Sequence, residues 1–196
     1  MRLTVLIFTF LCGLTTQAMA LSQDQLKAIS AFVKDAPAQV KAEIALPLFQ
    51  GLLGYKSTNR LDLCDLSEDA KDFIYTKKDE LHKLPLTHIN LTDLGLKKVP
   101  HEVFAIAGLT ELVLDQNQLK TLPSSLDLAT SLQVLSLHEN LFSELPQSIA
   151  ALPCLVYLDV SDNVLLELPN ALFQHDLESR EIYADENGLE FEDLTG

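Results

Sequence analysis

The sequence predicts an α/β solenoid, in which short parallel strands form one side of a stack of similar coils. A 23-residue pattern occurs four times in succession, and its copies occupy 86–108, 109–131, 132–154 and 155–178. Apolar residues recur at positions 1, 4, 6, 11, 14 and 18 of each copy, and proline recurs at position 15. Such a period is typical of stacked coils, because one copy alone cannot bury its apolar side.

The apolar residues at positions 4 and 6 predict a strand in each copy. In the second copy these residues are Leu112 and Leu114. Side chains two positions apart in a strand point to the same side, so both are expected to face the core. Pro123 at position 15 then ends the regular segment and directs the chain to the return side of the coil.

Position 9 carries an asparagine in three of the copies. These are Asn117, Asn140 and Asn163, and a weaker fifth copy offers Asn187, whereas the first copy has Leu94 there. An amide provides both donors and acceptors, so a stack of them can satisfy turn peptide groups that no strand reaches. We interpret the four asparagines as a structural ladder rather than as ligand contacts.

The pattern resembles the leucine-rich repeat family in its 23-residue form, LxxLxLxxNxLxxLPxxLxxLxx. The resemblance covers residues 86–178 and continues weakly to about 194, while residues from 81 onwards suggest the tail of one more degenerate coil. It implies a right-handed, curved solenoid whose short parallel β-sheet lies on the concave face. It also implies binding of a protein or peptide through that face.

Residues 1–20 are typical of a signal peptide. Arg2 supplies the positive end, an apolar core follows over 3–14, and 18–20 (Ala-Met-Ala) form a small-x-small cleavage site. We therefore expect an exported protein of bacterial source, located in the periplasm or outside the cell. No other stretch is long and apolar enough to predict membrane insertion after cleavage.

Residues 21–80 have helical periodicity. Ser22 and Gln25 form a capping-box pattern at the start of the first helix, a second helical stretch covers about 40–53, and Ser67 precedes a third. The apolar face of the first helix contains Leu26, Ile29, Phe32 and Val33, and the third helix carries Ala70, Phe73 and Ile74.

We interpret 21–80 as an N-terminal cap, because an open solenoid end exposes apolar core and a sheet edge. The alternative is a helical module that assembles a structural component of the cell envelope through its apolar run 44–53. At the other end, 179–196 is predicted to be a degenerate acidic capping repeat.

The charge balance indicates which class of partner to expect. The chain has 28 acidic and 14 basic side chains and a net charge of −14. This argues against nucleic acid, which rewards clustered Lys and Arg, and favours a basic protein or peptide partner through faster association. Solubility alone explains the charge equally well. We expect a monomer.

No catalytic, cofactor or metal site is predicted. His101-Glu102 lacks the second histidine of a zinc-binding helix, because residue 105 is alanine. Cys64 and Cys154 lie about three coils apart, farther than a disulfide spans, so two buried thiols are predicted unless the N-terminal segment folds back.

The candidate binding site follows from the strand alternation. With positions 4 and 6 inward, positions 3, 5, 7 and 8 are expected to face the concave side, and the contact residues are chosen from positions 3, 5 and 7. The predicted contact residues are His88, Asn90, Glu111, Val113, Asp115, Val134, Ser136, His138, Tyr157 and Asp159. Val113, Val134 and Tyr157 are predicted to form an apolar strip that anchors the partner, although ordinary cross-strand packing is the alternative. Four or five strands give a width of about 20 Å, which suits a peptide-sized target.

Overall fold

A computed structural model describes residues 23–41, 43–44, 60–63, 66–173 and 180–189. Several predictions fall outside these residues: the signal peptide, the capping residue Ser22, the second helix beyond Ile44, Cys64, and the acidic end from residue 190.

Six short strands form one parallel sheet in chain order, which confirms the predicted α/β solenoid. The strands are β1 (Arg60–Asp62), β2 (His88–Asn90), β3 (Glu111–Val113), β4 (Val134–Ser136), β5 (Tyr157–Asp159) and β6 (Glu181–Tyr183). Equivalent positions of the repeats are paired, so Glu111, Val134 and Tyr157 lie side by side. The expectation of four or five strands was wrong, because coils flank the four clear copies at both ends.

The return side of the solenoid consists of 3-10 helices. They are η1 (Lys78–Lys83), η2 (His101–Ala105), η3 (Ser124–Leu128), η4 (Gln147–Ala151) and η5 (Asn170–Phe173). Pro100, Pro123 and Pro146 directly precede η2, η3 and η4 with φ angles of −58°, −71° and −66°. The proline ring fixes φ near these values, which prepares the chain for the helical turn that follows.

The core lies between the strands and the 3-10 helices. Leu112 and Leu114 from the strand side and Leu126 from η3 have no exposed surface. The same continuous cluster includes Ile29 and Ile44 from the N-terminal region. The repeats and the described N-terminal residues therefore share one core, which is what a stack of individually unstable coils requires.

Two N-terminal helices pack against each other at the start of the solenoid. They are α1 (Gln23–Phe32) and α2 (Glu68–Thr76), and residues 38–41 and 43–44 are also helical. The Phe32 and Phe73 rings meet edge to face, with centroids 6.1 Å apart. Ser67 stands at the start of α2, and its Oγ accepts a hydrogen bond from the Ala70 amide at 3.4 Å.

Glu43 joins the helical residues near 44 to the start of α2. One carboxylate oxygen of Glu43 accepts hydrogen bonds from the backbone N–H of Ser67 at 3.0 Å and from its hydroxyl at 2.6 Å. These bonds stabilise the charged form and hold the pKa of Glu43 below its usual value. The contact fixes the two segments relative to each other.

Strand β1 lies within 21–80, the segment that the sequence analysis predicted to be a helical cap. Arg60 pairs with His88, 28 positions later in the chain, whereas the clear repeats pair at a spacing of 23. The additional residues accommodate α2 and η1 on the return side. The first coil therefore starts at β1 and is longer than the coils that follow.

Each position-9 asparagine bridges two adjacent coils. The Asn140 Nδ2 group donates to the carbonyls of Leu137 and His138 in its own coil at 3.1 and 3.2 Å. It also donates to Leu114 of the preceding coil at 2.9 Å, and Asn140 Oδ1 accepts from the Leu119 amide at 3.0 Å. The amides of Asn117, Asn163 and Asn187 make the equivalent bonds.

The residue before this position adopts a left-handed backbone in every described repeat. These residues are Asp93, Gln116, Glu139, Asp162 and Glu186, with φ between 51° and 56°. Such a conformation is strained for a residue with a side chain, and strongly disfavoured for a β-branched one. The turn from strand to return side therefore disfavours a residue that is branched at Cβ, and none of these five residues is branched there.

Arg180 caps the return side of the third clear copy. Its Nε donates to the Leu155 carbonyl at 2.9 Å, and its Nη atoms donate to the carbonyls of Leu152 at 3.2 Å and Ala150 at 3.4 Å. These groups belong to the end of η4 and the loop after it. A single cation thus satisfies acceptors that the 3-10 helix leaves open.

Cys154 contradicts the prediction of a buried thiol, because it is exposed and unpaired. It precedes Leu155, which is buried at position 1 of the next copy. Cys154 lies in the turn that follows η4, where its side chain faces solvent.

We predict that Asn140→Ala lowers the free energy of unfolding by about 3 kcal/mol, because it leaves several buried peptide groups without partners. Chemical denaturation followed by circular dichroism measures the change. Asn140→Asp, which keeps the shape but cannot donate, should also destabilise the protein. Gln118→Ala, at an exposed neighbouring position, should change stability by less than about 0.5 kcal/mol. A small effect of both Asn140 variants would contradict the role of the ladder.

We predict that Arg180→Ala destabilises the last described coil by about 2 kcal/mol, because three carbonyl acceptors lose a charged donor. Hydrogen exchange measures this as faster exchange of the β6 amides, with little change in β3. Arg180→Lys should keep only part of the stabilisation that Arg180 provides, since an ammonium group cannot reach all three carbonyls in the same geometry. Unchanged exchange in β6 would show that these bonds contribute nothing.

Candidate functional site

The strands present a surface that we term the open face, formed by positions 3 and 5 of each strand and by position 7 after it. Its side chains point away from the core, because Leu112, Leu135 and Leu158 at position 4 are fully buried. All ten predicted contact residues occupy positions of this face. The structure also adds residues from β6, which the sequence analysis had not included.

The predicted apolar strip crosses β3, β4 and β5. Val134 is paired with Tyr157 on the next strand, whereas Val113 is paired with Ser136 and so lies diagonal to Val134. All three strip residues are partly exposed. The strip therefore offers apolar surface to a partner at the centre of the sheet.

Ser136 and Asp115 have a supporting role within this face. The Ser136 side chain is buried, at 8% exposure, and its hydroxyl donates to Asp115 Oδ1 at 2.6 Å. The backbone N–H of His138 donates to the same oxygen at 3.1 Å. Burial raises the pKa of Asp115, although these two hydrogen bonds act in the opposite direction. Asp115 thus orders the strand ends as well as contributing charge.

Tyr183 on β6 extends the strip, and the sequence analysis missed it. Its ring lies against the Tyr157 ring, with centroids 5.3 Å apart and the planes tilted by 39°. Tyr183 is 44% exposed. One additional residue between the fourth and fifth copies shifts the register, since Tyr157 pairs with Glu181 at a spacing of 24. The spacing from Ile182 to Asn187, which matches that from position 4 to position 9, could have placed Tyr183 on the face.

Asp159 lies next to both tyrosines. It is paired with Tyr183 across the strands, and its Oδ2 accepts a long contact from the Tyr157 hydroxyl at 3.5 Å. Its Oδ1 accepts hydrogen bonds from the N–H and the hydroxyl of Ser161. Asp159 is therefore fixed through one oxygen while the other faces the ring pair. Burial, followed by the nearby charge of Asp159, raises the pKa of Tyr157.

Two histidines stand on the open face, each beside a carboxylate. His88 Nε2 lies 3.3 Å from Glu111 Oε2 on the neighbouring strand. His138 Nδ1 lies 3.0 Å from the Ser161 hydroxyl and 3.4 Å from Asp162 Oδ2. The contacts orient both rings across adjacent coils. Asn90, near His88, accepts hydrogen bonds from the N–H and hydroxyl of Thr92, as Asp159 does from Ser161.

Apart from two histidines, the ionisable residues with a formal charge on the open face from β2 to β6 are all acidic. No lysine or arginine occupies positions 3, 5 or 7 of these strands, although histidines do. The acidic residues at these positions are Glu111, Asp115, Asp159, Glu181 and Asp185. The face thus combines an apolar and aromatic strip with surrounding carboxylates.

The described ranges contain neither a metal-binding cluster nor a membrane-spanning helix. Among these residues, no three His, Cys, Asp or Glu side chains are placed to hold a metal ion together. The helices of the same ranges are too short or too polar to cross a bilayer.

Comparison with known proteins locates the chain among repeat proteins. A family model described as leucine rich repeat matches residues 108–165. The comparison with curated proteins gives no match. Among solved structures, the chain is similar to a leucine-rich repeat protein of Leptospira interrogans, with 26% identity, a TM-score of 0.46, and coverage of 67% of this chain and 38% of that one.

Two further similar structures come from effector proteins. The leucine-rich repeat domain of the type III effector XopL is 18% identical, with a TM-score of 0.49 and coverage of 87% of this chain and 58% of that one. A Shigella effector leucine-rich repeat domain is 21% identical, with a TM-score of 0.42 and coverage of 87% and 63%. The chain spans less than two thirds of the length of each of these three structures.

The repeat spacing, the parallel sheet with one strand per coil and the asparagine ladder agree with the family match over 108–165. Residues 108–165 are therefore leucine-rich repeats.

Proposed function

We propose that this protein is an exported, non-catalytic recognition module that binds a protein or peptide through its open face. Leucine-rich repeat domains serve as protein-interaction modules. In this chain, the open face is the surface whose side chains are not determined by the packing of the core. The observation that supports the proposal most directly is the accessible strip of Val113, Val134, Tyr157 and Tyr183. Aromatic and apolar anchors surrounded by polar residues are typical of binding surfaces.

The size of the face favours a peptide-sized target or one exposed loop of a protein. Six strands at a spacing of about 4.8 Å give a sheet about 24 Å wide. Each strand has only three residues. A stable interface buries roughly 800 Å² on each partner, so a larger partner also needs contacts with flanking loops. Leu141, Val164 and Leu166 lie exposed near the rim of the sheet and would extend the patch.

The localisation is part of the proposal. The apolar core and small-residue site of 1–20 support export to the periplasm or the extracellular space. A secreted factor that binds a host protein is one form of this function. We further propose that the protein acts without a cofactor, as a monomer.

The alternative is a structural envelope component that assembles through the N-terminal helices. Of the apolar run 44–53 that this alternative invokes, Ile44 is buried in the core shared with the repeats, and 45–53 lie outside the described residues. Apolar side chains that cover the first coil are not available to a partner.

We predict that the double variant Val134→Asp, Tyr157→Ala captures its partner at least about tenfold less than the wild type, because central aromatic and apolar anchors dominate such interfaces. Pull-down from the native secretome or envelope, with quantitative mass spectrometry, measures the loss. Circular dichroism should show that the variant is folded.

The matched control is Leu128→Asp, which introduces the same charge at a 58% exposed residue of η3, on the return side. This control should capture the same partners as the wild type. Equal capture by the double variant and the wild type would place recognition elsewhere, on the return side or the N-terminal helices.

A further inference from the structure

We propose that the tyrosine pair Tyr157–Tyr183, together with Asp159, is a subsite for an arginine side chain of the partner. This inference rests on the proposed function, because it names the chemistry that the open face recognises. It adds a second requirement, a guanidinium group at one defined place along the bound segment.

The aromatic surface comes from two adjacent strands. Tyr157 on β5 and Tyr183 on β6 hold their rings 5.3 Å apart at a tilt of 39°, so the pair is ordered rather than two independent side chains. Both rings remain partly accessible to solvent. The face of a tyrosine ring carries a negative quadrupole that attracts a cation within about 6 Å of its centroid. An ordered ring pair can therefore receive a flat cation with little loss of side-chain entropy.

Carboxylates complete the subsite. Asp159 uses Oδ1 for Ser161 and has only the long Tyr157 contact at Oδ2, so Oδ2 keeps capacity to accept a donor. Glu181 is the neighbour of Tyr157 on β6, and its side chain is exposed. Within the described part of the chain, no ion pair neutralises Asp159 or Glu181. Their charges are thus directed to solvent beside the rings.

The wider face increases the attraction for a cation. Positions 3, 5 and 7 from β2 to β6 carry five carboxylates and no lysine or arginine. The whole chain has a net charge of −14. A basic segment would be drawn towards the face over a distance set by ionic strength, and the tyrosine pair would then determine its register.

Arginine fits this arrangement better than lysine. A guanidinium group is planar, stacks on an aromatic ring and donates in its own plane to a carboxylate at the same time. An ammonium group is a compact, strongly hydrated charge, which can satisfy the carboxylate but does not stack on the ring. Two tilted rings with a carboxylate beside them therefore select the flat cation.

The test is a selection of displayed random peptides on the folded wild-type protein, repeated with three variants. Tyr183→Leu removes a ring while it keeps apolar bulk, and Asp159→Asn removes the charge while its amide oxygen can still accept from Ser161. Asp127→Asn, at an exposed position of η3, is the matched control. We expect wild-type and control proteins to enrich peptides with arginine at one fixed position. Tyr183→Leu and Asp159→Asn should lose that enrichment but still select apolar residues beside it.

One wild-type peptide is then compared with its citrulline version, which keeps the shape of arginine without the charge. We expect the replacement of arginine by citrulline to weaken binding to the wild-type protein by about tenfold, and binding to each of the two variants by about twofold or less. Only in the wild type does this replacement remove an exposed cation–π contact and a charged hydrogen bond together. Fluorescence anisotropy measures the six affinities.

The outcomes separate this inference from the proposed function. Selected peptides that depend on Val134 and Tyr157 but show no fixed arginine, or show lysine equally often, would overturn the arginine subsite and leave open-face recognition in place. Selected peptides that bind the Val134→Asp, Tyr157→Ala variant as well as the wild type would overturn both. Equal binding of the arginine and citrulline peptides would also overturn the subsite.

Discussion

The buried amide of the position-9 asparagine is the interaction on which the rest of the solenoid depends. Each coil must leave its strand through a tight turn, and the peptide groups of that turn have no neighbouring strand to pair with. Asn140 supplies donors to two coils and an acceptor to one of them, so it satisfies these groups and sets the phase between coils. The in-step pairing of Val134 with Tyr157, and with it the whole open face, follows from that phase.

Residues that stabilise the fold and residues that are free for recognition are largely separate. Positions 4 and 6 are buried in all four clear repeats and positions 9 and 11 in the last three, whereas positions 3, 5 and 7 need only tolerate an extended backbone. The exception is the pair of Asp115 and Ser136, where a carboxylate of the open face is drawn into internal hydrogen bonds and its pKa rises through burial. The separation allows the surface chemistry to change without loss of the core.

Most of the repeat architecture could be predicted from the sequence, because its determinants are periodic and local. Leu112, Leu114 and Pro123 define strand and turn through side-chain alternation and ring geometry alone. Strand β1 could not be found in this way, since a coil lengthened by an α-helix breaks the period. Tyr183 was missed because one additional residue shifts the last register. The exposure of Cys154 depends on the orientation of a residue outside the consensus positions, about which the consensus carries no information.

The asparagine ladder also gives the solenoid a direction. The amides of Leu96, Leu119, Phe142 and Leu165 are each satisfied by an asparagine of the coil that follows. A coil is thus completed only once its successor is in place, and the pattern is the same at every step. Tandem duplication of the second or third clear copy, which carry Asn117 and Asn140, would reproduce these bonds at the new junction. The array can therefore lengthen by gene duplication without a new structural solution, and each added coil would widen the open face by one strand.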